Sequence, residues 1–536
     1  MRLPLLAAAL ALASPALAQQ TPTPAAAPWW HETTALANDS MEGRDTGTEA
    51  YERAARYVAQ KFKAAGLQPA GDHGTFFQRV PMHQVDLDTA HSTVEIETNV
   101  TASGDAVGST VLKLLQDVTL QPSESLPLNV RGTMIFLGYG LDTPSDADAP
   151  PASLQRRIVV YFAGTPSGLS PADRQAYTVR RAQRLAISGA VAVVAILNPA
   201  DTEPFHWPAA YARTVTLAGS KPAPTGTIPS LRISADAASA LFARSGHDFT
   251  GILRDGEHGA PLPTFDLPAV LKLHLETTSK DISSPNILAI LPGSDPALAP
   301  EFVALSAHLD GYGFGAPVLG DRLYNGALDD AAYVATLLDL ARKEASLLPH
   351  QRPKRSLLFC IFTGEEKGLL GSAYFTAHPT VPIPQIVADL NLDQLRPIFP
   401  LKILTMEGIT DSTLGDTART VAQKYSIELR PDLEPERNLF RRADNYNFVR
   451  VGVPVASFIF GYNRGTPEEA TYRDWYARRY HKPQDDLSTP IYWAAAVTFN
   501  NFYRDLTRAI ADAPTRPAWS PGSAYRPTKT ATNPVP

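Results

Sequence analysis

Apolar and polar positions change period several times along the chain, and each change marks an element. Ala54, Ala55, Val58, Phe62 and Ala65 recur at helical spacing, with Gly66 where a helix stops, so 31–68 reads as largely helical. Residues 76–99 read as strand. Between 104 and 263 the character shifts to short β-like runs, 133–137 and 157–162, a helical stretch at 174–188 and an apolar run at 190–197, all broken by Pro and Gly. This predicts a separate α/β module, with 270–275 returning to the main domain. Apolar runs then recur at 286–291, 302–307, 357–362, 386–392 and 455–460, interleaved with helical patterns at 330–345 and 491–511. Strands alternating with helices predict a mostly parallel, doubly wound sheet flanked by helices, of α/β class.

One stretch organises the rest. Leu357 to Phe362 is apolar at every position and reads as a strand buried on both faces; it stops at Thr363-Gly364 and is followed by Glu365 and Glu366. Ligands of an open parallel sheet bind at the carboxyl ends of its strands, so two carboxylates there are placed for chemistry. Adjacent side chains point different ways, which suits two jobs: one for a metal and one for a proton.

Other metal-ligating residue types sit just past strand ends. The run 302–307 leads to His308-Leu309-Asp310, whose i, i+2 spacing puts imidazole and carboxylate on one side of an extended chain. Asp329 and Asp330 open a predicted helix, where one aspartate can cap while the other ligates. The run 386–392 ends at Asp393, and a polar loop carries Tyr480-His481-Lys482-Pro483-Gln484-Asp485. Singly, each is more often structural than a ligand. Together they form a His and carboxylate donor set that suits zinc, with manganese or cobalt also accommodated.

Composition narrows the classes. The chain has 536 residues, a formal net charge of −6 and 44% hydrophobic residues, with no dense basic tract, which argues against nucleic-acid binding. Its single cysteine, Cys360, excludes an internal disulfide and reads as a buried small hydrophobe. Met1-Arg2, the apolar 3–12 and Ala16-Leu17-Ala18 have the form of a signal peptide over 1–18, predicting an exported protein, periplasmic or secreted. No later run is long enough to span a bilayer. Residues 19–28 read as a disordered lead-in and 513–536 as a Pro-rich disordered tail.

The motifs also carry a resemblance. His308-x-Asp310, Asn325-Gly326-Ala327-x-Asp329, Gly364-Glu365-Glu366-x-Gly368-Leu369-x-Gly371-Ser372, Asp393 and Tyr480-His481-x-Pro483-x-Asp485 resemble, in order, the exported di-zinc aminopeptidase family. That family includes the bacterial leucyl aminopeptidases and is related to the glutamate carboxypeptidases. Glu42-Gly43-Arg44, Gly66-Leu67-x-Pro69 and Phe76-Phe77-Gln78 are similar to its N-terminal segment, although by itself the Glu42-Gly43-Arg44 loop reads as a helix entry. The module is similar to the inserted protease-associated domain, with Gly189-Ala190-x-Ala192 after its helix.

The resemblance implies a zinc exopeptidase fold, with 29–103 and 264–512 as the peptidase domain and 104–263 as the insertion. It implies two Zn²⁺ ions: Asp329 bridging, His308 and Asp393 completing one site, Glu366 and His481 the other. Glu365 is then the general base, with Asp310 orienting His308, and peptides are the substrates. The inserted module is a candidate protein contact. The chain departs from the family pattern at Asp330, where many relatives carry Asn, and at Gly311-Tyr312, where close relatives carry His. It departs again at Ala443 and Asn445 in 442–446, so specificity is not implied. Two alternatives remain at this point: a glutaminyl cyclase-like single-zinc acyltransferase, and a non-catalytic binding protein on the same scaffold.

Overall fold

The computed structural model describes residues 21–98, 108–141, 154–199, 212–220, 228–393 and 395–527. The predicted signal peptide at 1–18 lies outside them. Helices α1 (Ala27–Ala37) and α2 (Glu49–Ala64) flank a 3-10 turn, Asp39–Arg44. Helix α2 starts where Thr48 Oγ1 accepts the N–H of Tyr51, carries Glu49 and Glu52 in its first turn and Lys61 and Lys63 in its last, and buries Ala54, Ala55, Val58 and Phe62. Because Ala27 already begins α1 and Trp29 Nε1 donates to Ala332 O at 2.6 Å, the end of the expected disordered lead-in is ordered helix.

Strands β1 (Gln68–Pro69) and β2 (Phe77–Leu87) follow, then β3 (Thr93–Thr98), β4 (Gly108–Leu112), β5 (Val118–Leu120), β6 (Asn129–Leu137) and β7 (Ile158–Phe162). After α3 (Pro171–Ile187) come β8 (Ala192–Ile196), β9 (Arg213–Leu217), β10 (Ser230–Ile233), α4 (Ala235–Phe242), α5 (Phe249–Glu257), β11 (Thr264–His274) and β12 (Thr277–Leu291). One sheet has the order β4-β3-β11-β6-β7-β8-β10-β5 and its own apolar core.

This second sheet exceeds the 104–263 expected from composition. It takes in β3 on one side and all of β11 on the other, so 270–275 belongs to it rather than to the main domain. Strand alternation looks the same in either sheet, and only pairing assigns a strand. In the other direction β9, from inside the expected module, pairs antiparallel with β2 at the edge of the main sheet.

The main sheet continues with β13 (Phe302–His308), the hairpin β14 (Gly313–Val318) and β15 (Asp321–Tyr324), α6 (Ala332–Ala345), β16 (Ser356–Phe362), α7 (Leu370–Ala377) and β17 (Ile386–Asn391). It ends with β18 (Ile403–Glu407), α8 (Leu414–Lys424), β19 (Glu428–Arg430), α9 (Asn445–Arg450), β20 (Val455–Gly461), α10 (Pro467–Arg478) and α11 (Trp493–Ala511). The hairpin forms a small sheet of its own, and the main order is β19-β18-β20-β17-β13-β16-β12-β2-β9. At its centre β20, β17, β13 and β16 run parallel, while β12, β2 and β9 extend it antiparallel.

Strand β16 shows why the centre is apolar throughout. Leu357, Phe359 and Ile361 enter the core on one face of the sheet, and Leu358, Cys360 and Phe362 the core on the other. Cys360 is a free, buried thiol, as its setting predicts. The C-terminal tail is partly a structural element. Trp519 bridges to Ser412 and donates Nε1–H to Gly452 O at 2.9 Å, and Tyr525 packs 5.0 Å from Phe440. Two aromatic rings anchor a stretch whose Pro content reads as disorder. Among the described residues no helix is long and apolar enough to cross a membrane.

Candidate metal centre

The adjacent parallel strands β17, β13 and β16 end at one edge, and each delivers an acid or imidazole there. His308 closes β13, Asp393 follows β17, and Glu365-Glu366 follow β16. Asn286 shapes the turn after β16: its Oδ1 accepts the N–H of Thr363 at 3.1 Å and its Nδ2 donates to Gly371 O at 2.9 Å. A Cβ on Gly371 would lie 2.3 Å from Thr363 O, so only glycine lets the chain pass. Asp329 arrives from the turn before α6 and His481 from the loop after α10, held at a φ of 54°.

Asp329 joins the two halves of the cluster. Its Oδ1 is 3.5 Å from His308 Nε2, and its Oδ2 is 3.3 Å from His481 Nε2. His481 Nε2 is also 3.5 Å from Glu366 Oε2. Donor atoms of His308, Asp329 and Asp393 lie within 4.8 Å of one another, as do those of Asp329, Glu366 and His481. Two donors each ~2.0–2.1 Å from a zinc ion at the tetrahedral angle are about 3.3–3.4 Å apart. The observed spacings are those of groups arranged around a shared cation. Asp329 Oδ2 and Glu366 Oε1 are moreover buried without a hydrogen-bond partner, a costly state unless something positive meets them.

The electrostatics point the same way. Burial, reinforced by neighbouring carboxylates, pushes Glu365 well above the ordinary carboxylate range, raises Asp393, and brings Glu366 to about 7. Burial would also raise Asp329, but the imidazoles of His308 and His481 close to its carboxylate and the charge of Arg396 outweigh it and hold it well below. Such a cluster ionises fully only when cations balance it. A further grouping, Asp88, His91 and Glu276, meets the same distance test, but it is largely solvent-facing and lacks these buried unpartnered atoms.

Several neighbours do jobs that their sequence positions do not suggest. The Asp310 carboxylate is 3.8 Å from His308 Nδ1, whereas the Asp310 carbonyl is 3.0 Å away and takes the hydrogen bond. The carboxylate instead accepts the backbone N–H groups of Glu365 and Glu366 at 3.1 and 3.3 Å and the Thr46 hydroxyl at 3.0 Å. Neither Asp329 nor Asp330 caps α6, because both lie in non-helical backbone ahead of it; Asp330 Oδ2 accepts the N–H of His308 at 3.1 Å. Asp485 receives the N–H groups of Leu328 and Asp329, both at 3.0 Å, and so pins the turn that presents Asp329. Tyr312 donates its hydroxyl to Glu366 Oε2 at 2.5 Å and stands 3.1 Å from His481 Nδ1.

Two buried arginines have structural roles that sequence reading did not assign. Arg396 lies 4.4 Å over the Trp475 ring, donates to Asp393 O at 2.7 Å and comes within 3.8 Å of Asp329 Oδ1. Its signal was a cation three residues after Asp393. Arg44, in the loop that reads as a helix entry, is fully buried and donates to the carbonyls of Leu36, Leu309, Asn325 and Gly326 at 2.7–2.9 Å. It ties the segments after β13 and before Asp329 to the N-terminal helices. Arg44→Met leaves those carbonyls unpaired, and denaturant unfolding is expected to show a loss of about 2–4 kcal/mol.

Comparison with known proteins adds the lineage. Residues 286–507 match the model of peptidase family M28. All of His308, Asp329, Glu365, Glu366, Asp393 and His481 lie inside the M28 segment. A probable zinc metalloprotease of Pyrenophora tritici-repentis is 29% identical over 198 residues, 34% of this chain and 43% of that protein. Aminopeptidase YwaD of Bacillus subtilis is 25% identical over 224 residues, 41% of this chain and 42% of the relative. The chain thus spans less than half the length of these curated relatives. Among solved structures, an aminopeptidase from Aneurinibacillus sp. strain AM-1 aligns over 95% of this chain and 96% of its own, with a TM-score of 0.56 and 19% identity. The zinc aminopeptidase BSAP from Bacillus subtilis aligns over 90% and 94%, with a TM-score of 0.56 and 18% identity. These likenesses establish the fold well beyond the M28 segment.

Proposed function

We propose that this protein is an exported, zinc-dependent aminopeptidase that removes N-terminal residues from peptides. The observation that carries the reading is Asp329, whose two oxygens face His308 and His481 separately. That geometry suits a carboxylate shared by two Zn²⁺ ions, with Mn²⁺ or Co²⁺ as substitutes. His308 and Asp393 would complete one site, and Glu366 and His481 the other. Relatives and structural neighbours named as zinc metalloprotease and zinc aminopeptidase support the metal and the reaction class. The apolar 3–12 and the Ala16-Leu17-Ala18 site support export. The second sheet, with β3 and β11 added, is read as a protease-associated-like insertion and a candidate protein contact.

When bound, the ions supply charge that polarises a scissile carbonyl and acidifies the attacking water. The protein's own groups do the rest. Glu365 lines the pocket over the cluster and is nearly buried, a placement that fits a base that takes a proton from water and returns it to the leaving amine. The Asp310 carboxylate fixes the Glu365 backbone and thereby aims that base. Tyr312 holds Glu366 and His481 in place, so Tyr312→Phe is expected to weaken the second metal about 10–100-fold and leave the first unchanged, measured by competition with a chromophoric chelator. The function itself is tested with paired peptides bearing free and acetylated N-termini. Release of the first residue from the free form alone supports an aminopeptidase, and equal cleavage of both overturns it.

A further inference from the structure

Between β8 and β10 of the second sheet the chain crosses to the main sheet, pairs with β2 as β9, and returns. Successive residues of a strand face opposite ways. Thr214 and Thr216 of β9 line a cavity of about 430 Å³ together with Leu120 of β5, Val193 of β8 and Ser230 of β10. Val215 clusters instead with Val80 and Met82 of β2, and Leu370 and Tyr374 of α7 pack on that cluster. Helix α7 directly follows the turn that carries Glu365. Arg213 shares the side of Val215. Its Nη2 donates to Thr46 O at 2.6 Å and to Asp45 Oδ1 at 3.1 Å.

Each residue of the loop held in this way reaches the turn at 363–367. Asp45 Oδ1 also lies 3.1 Å from Nζ of Lys367, whose side chain is buried beside Glu366. The Thr46 hydroxyl donates to the Asp310 carboxylate, which accepts the N–H groups of Glu365 and Glu366. The Gly47 N–H donates to Ser284 Oγ at 3.3 Å, and that hydroxyl is 2.7 Å from Thr363 Oγ1. Arg213 grips the loop from the other side. A catalytic base works only while it is held in its productive geometry, so what fixes its backbone sets its rate.

We propose that Arg213 is a positioning residue for Glu365. Through Asp45 and Thr46 it sets the Asp310 carboxylate and hence the backbone that aims the base. Strand β9 thereby makes the second domain a working part of the active site. The inference rests on the peptidase reading. Because Arg213 contacts Asp45 and Thr46 rather than a metal donor, its effect falls on kcat and leaves zinc content and KM alone.

The test uses purified, zinc-loaded full-length protein and a peptide with a free N-terminus, with zinc content and folded fraction measured on each preparation. Arg213→Met is expected to lower kcat about fivefold or more, with KM within about twofold of wild type and unchanged zinc. Arg213→Lys keeps the charge beside Asp45 and recovers part of the loss. Thr46→Val keeps the shape of the side chain, removes the hydroxyl that reaches Asp310, and lowers kcat as well. Since both residues act through one contact, the double variant falls well short of the product of the two single losses. A smaller loss in Arg213→Met, a loss carried by KM or by zinc, or losses that multiply in the double variant each overturn the inference and leave the peptidase intact. If Arg213→Met does not fold, Arg213→Lys takes its place in the same cycle with Thr46→Val, and losses that multiply overturn the inference there too. No release from any peptide by the wild type overturns both.

Discussion

Glu365→Gln lowers kcat by roughly 10²–10⁴-fold while the protein keeps its full metal content. The expectation follows from position. Glu365 reaches the pocket and lies within 4.8 Å of His308 and Glu366, yet the His308–Asp329–Asp393 and Asp329–Glu366–His481 donor groups each reach three members without it. Glutamine keeps the size and the hydrogen-bonding reach of the side chain but cannot accept a proton. Its neutral amide also removes one charge from a crowded anionic cluster, so the fold does not suffer. Steady-state kinetics and metal analysis on one preparation check both halves. A variant with near wild-type turnover removes Glu365 as the base, and one that loses metal makes it a ligand.

Asp329→Ala takes out both metals at once, whereas His308→Ala and His481→Ala each take out one. Asp329 is the member shared by the His308–Asp393 and Glu366–His481 groups and offers one oxygen to each, so its loss weakens binding at both by more than the ~10–100-fold that an outer-shell change costs. Turnover then falls to the detection limit. The three variants form a pattern that unfolding does not imitate, because a collapsed site loses both ions in all of them. Metal counts of two, one, one and zero for wild type, His308→Ala, His481→Ala and Asp329→Ala are the expected series.

His308, Asp393 and the Glu365-Glu366 pair were legible as candidates because each stands where an apolar strand stops. Strand β16 is apolar at every position, so it had to lie inside the sheet, and the acids after it had to lie at the sheet's edge. His308 and Asp393 follow by the same reasoning on the neighbouring strands β13 and β17. Glu366 and His481 needed the resemblance in addition, because a turn and a loop give no direction to a side chain. The supporting groups were not legible. Arg44 reaches carbonyls more than 260 residues away along the chain, and no local period announces such a contact. Asp310 was read as the partner of His308 because i, i+2 residues share a strand face; the chain leaves the strand at His308, and the carboxylate swings to the Glu365-Glu366 backbone. The extent of the second sheet failed for a related reason, since β11 and β12 are joined by a two-residue link and read as one domain, yet pair in different sheets.

The central claim is that one aspartate is shared by two ions, and counting bound zinc tests it most directly. The full chain, stripped of metal and dialysed against zinc with a competing chelator, should take up two ions per chain, and Asp329→Ala should take up none. One ion in the wild type, or an Asp329→Ala variant that still holds a full pair, would contradict it.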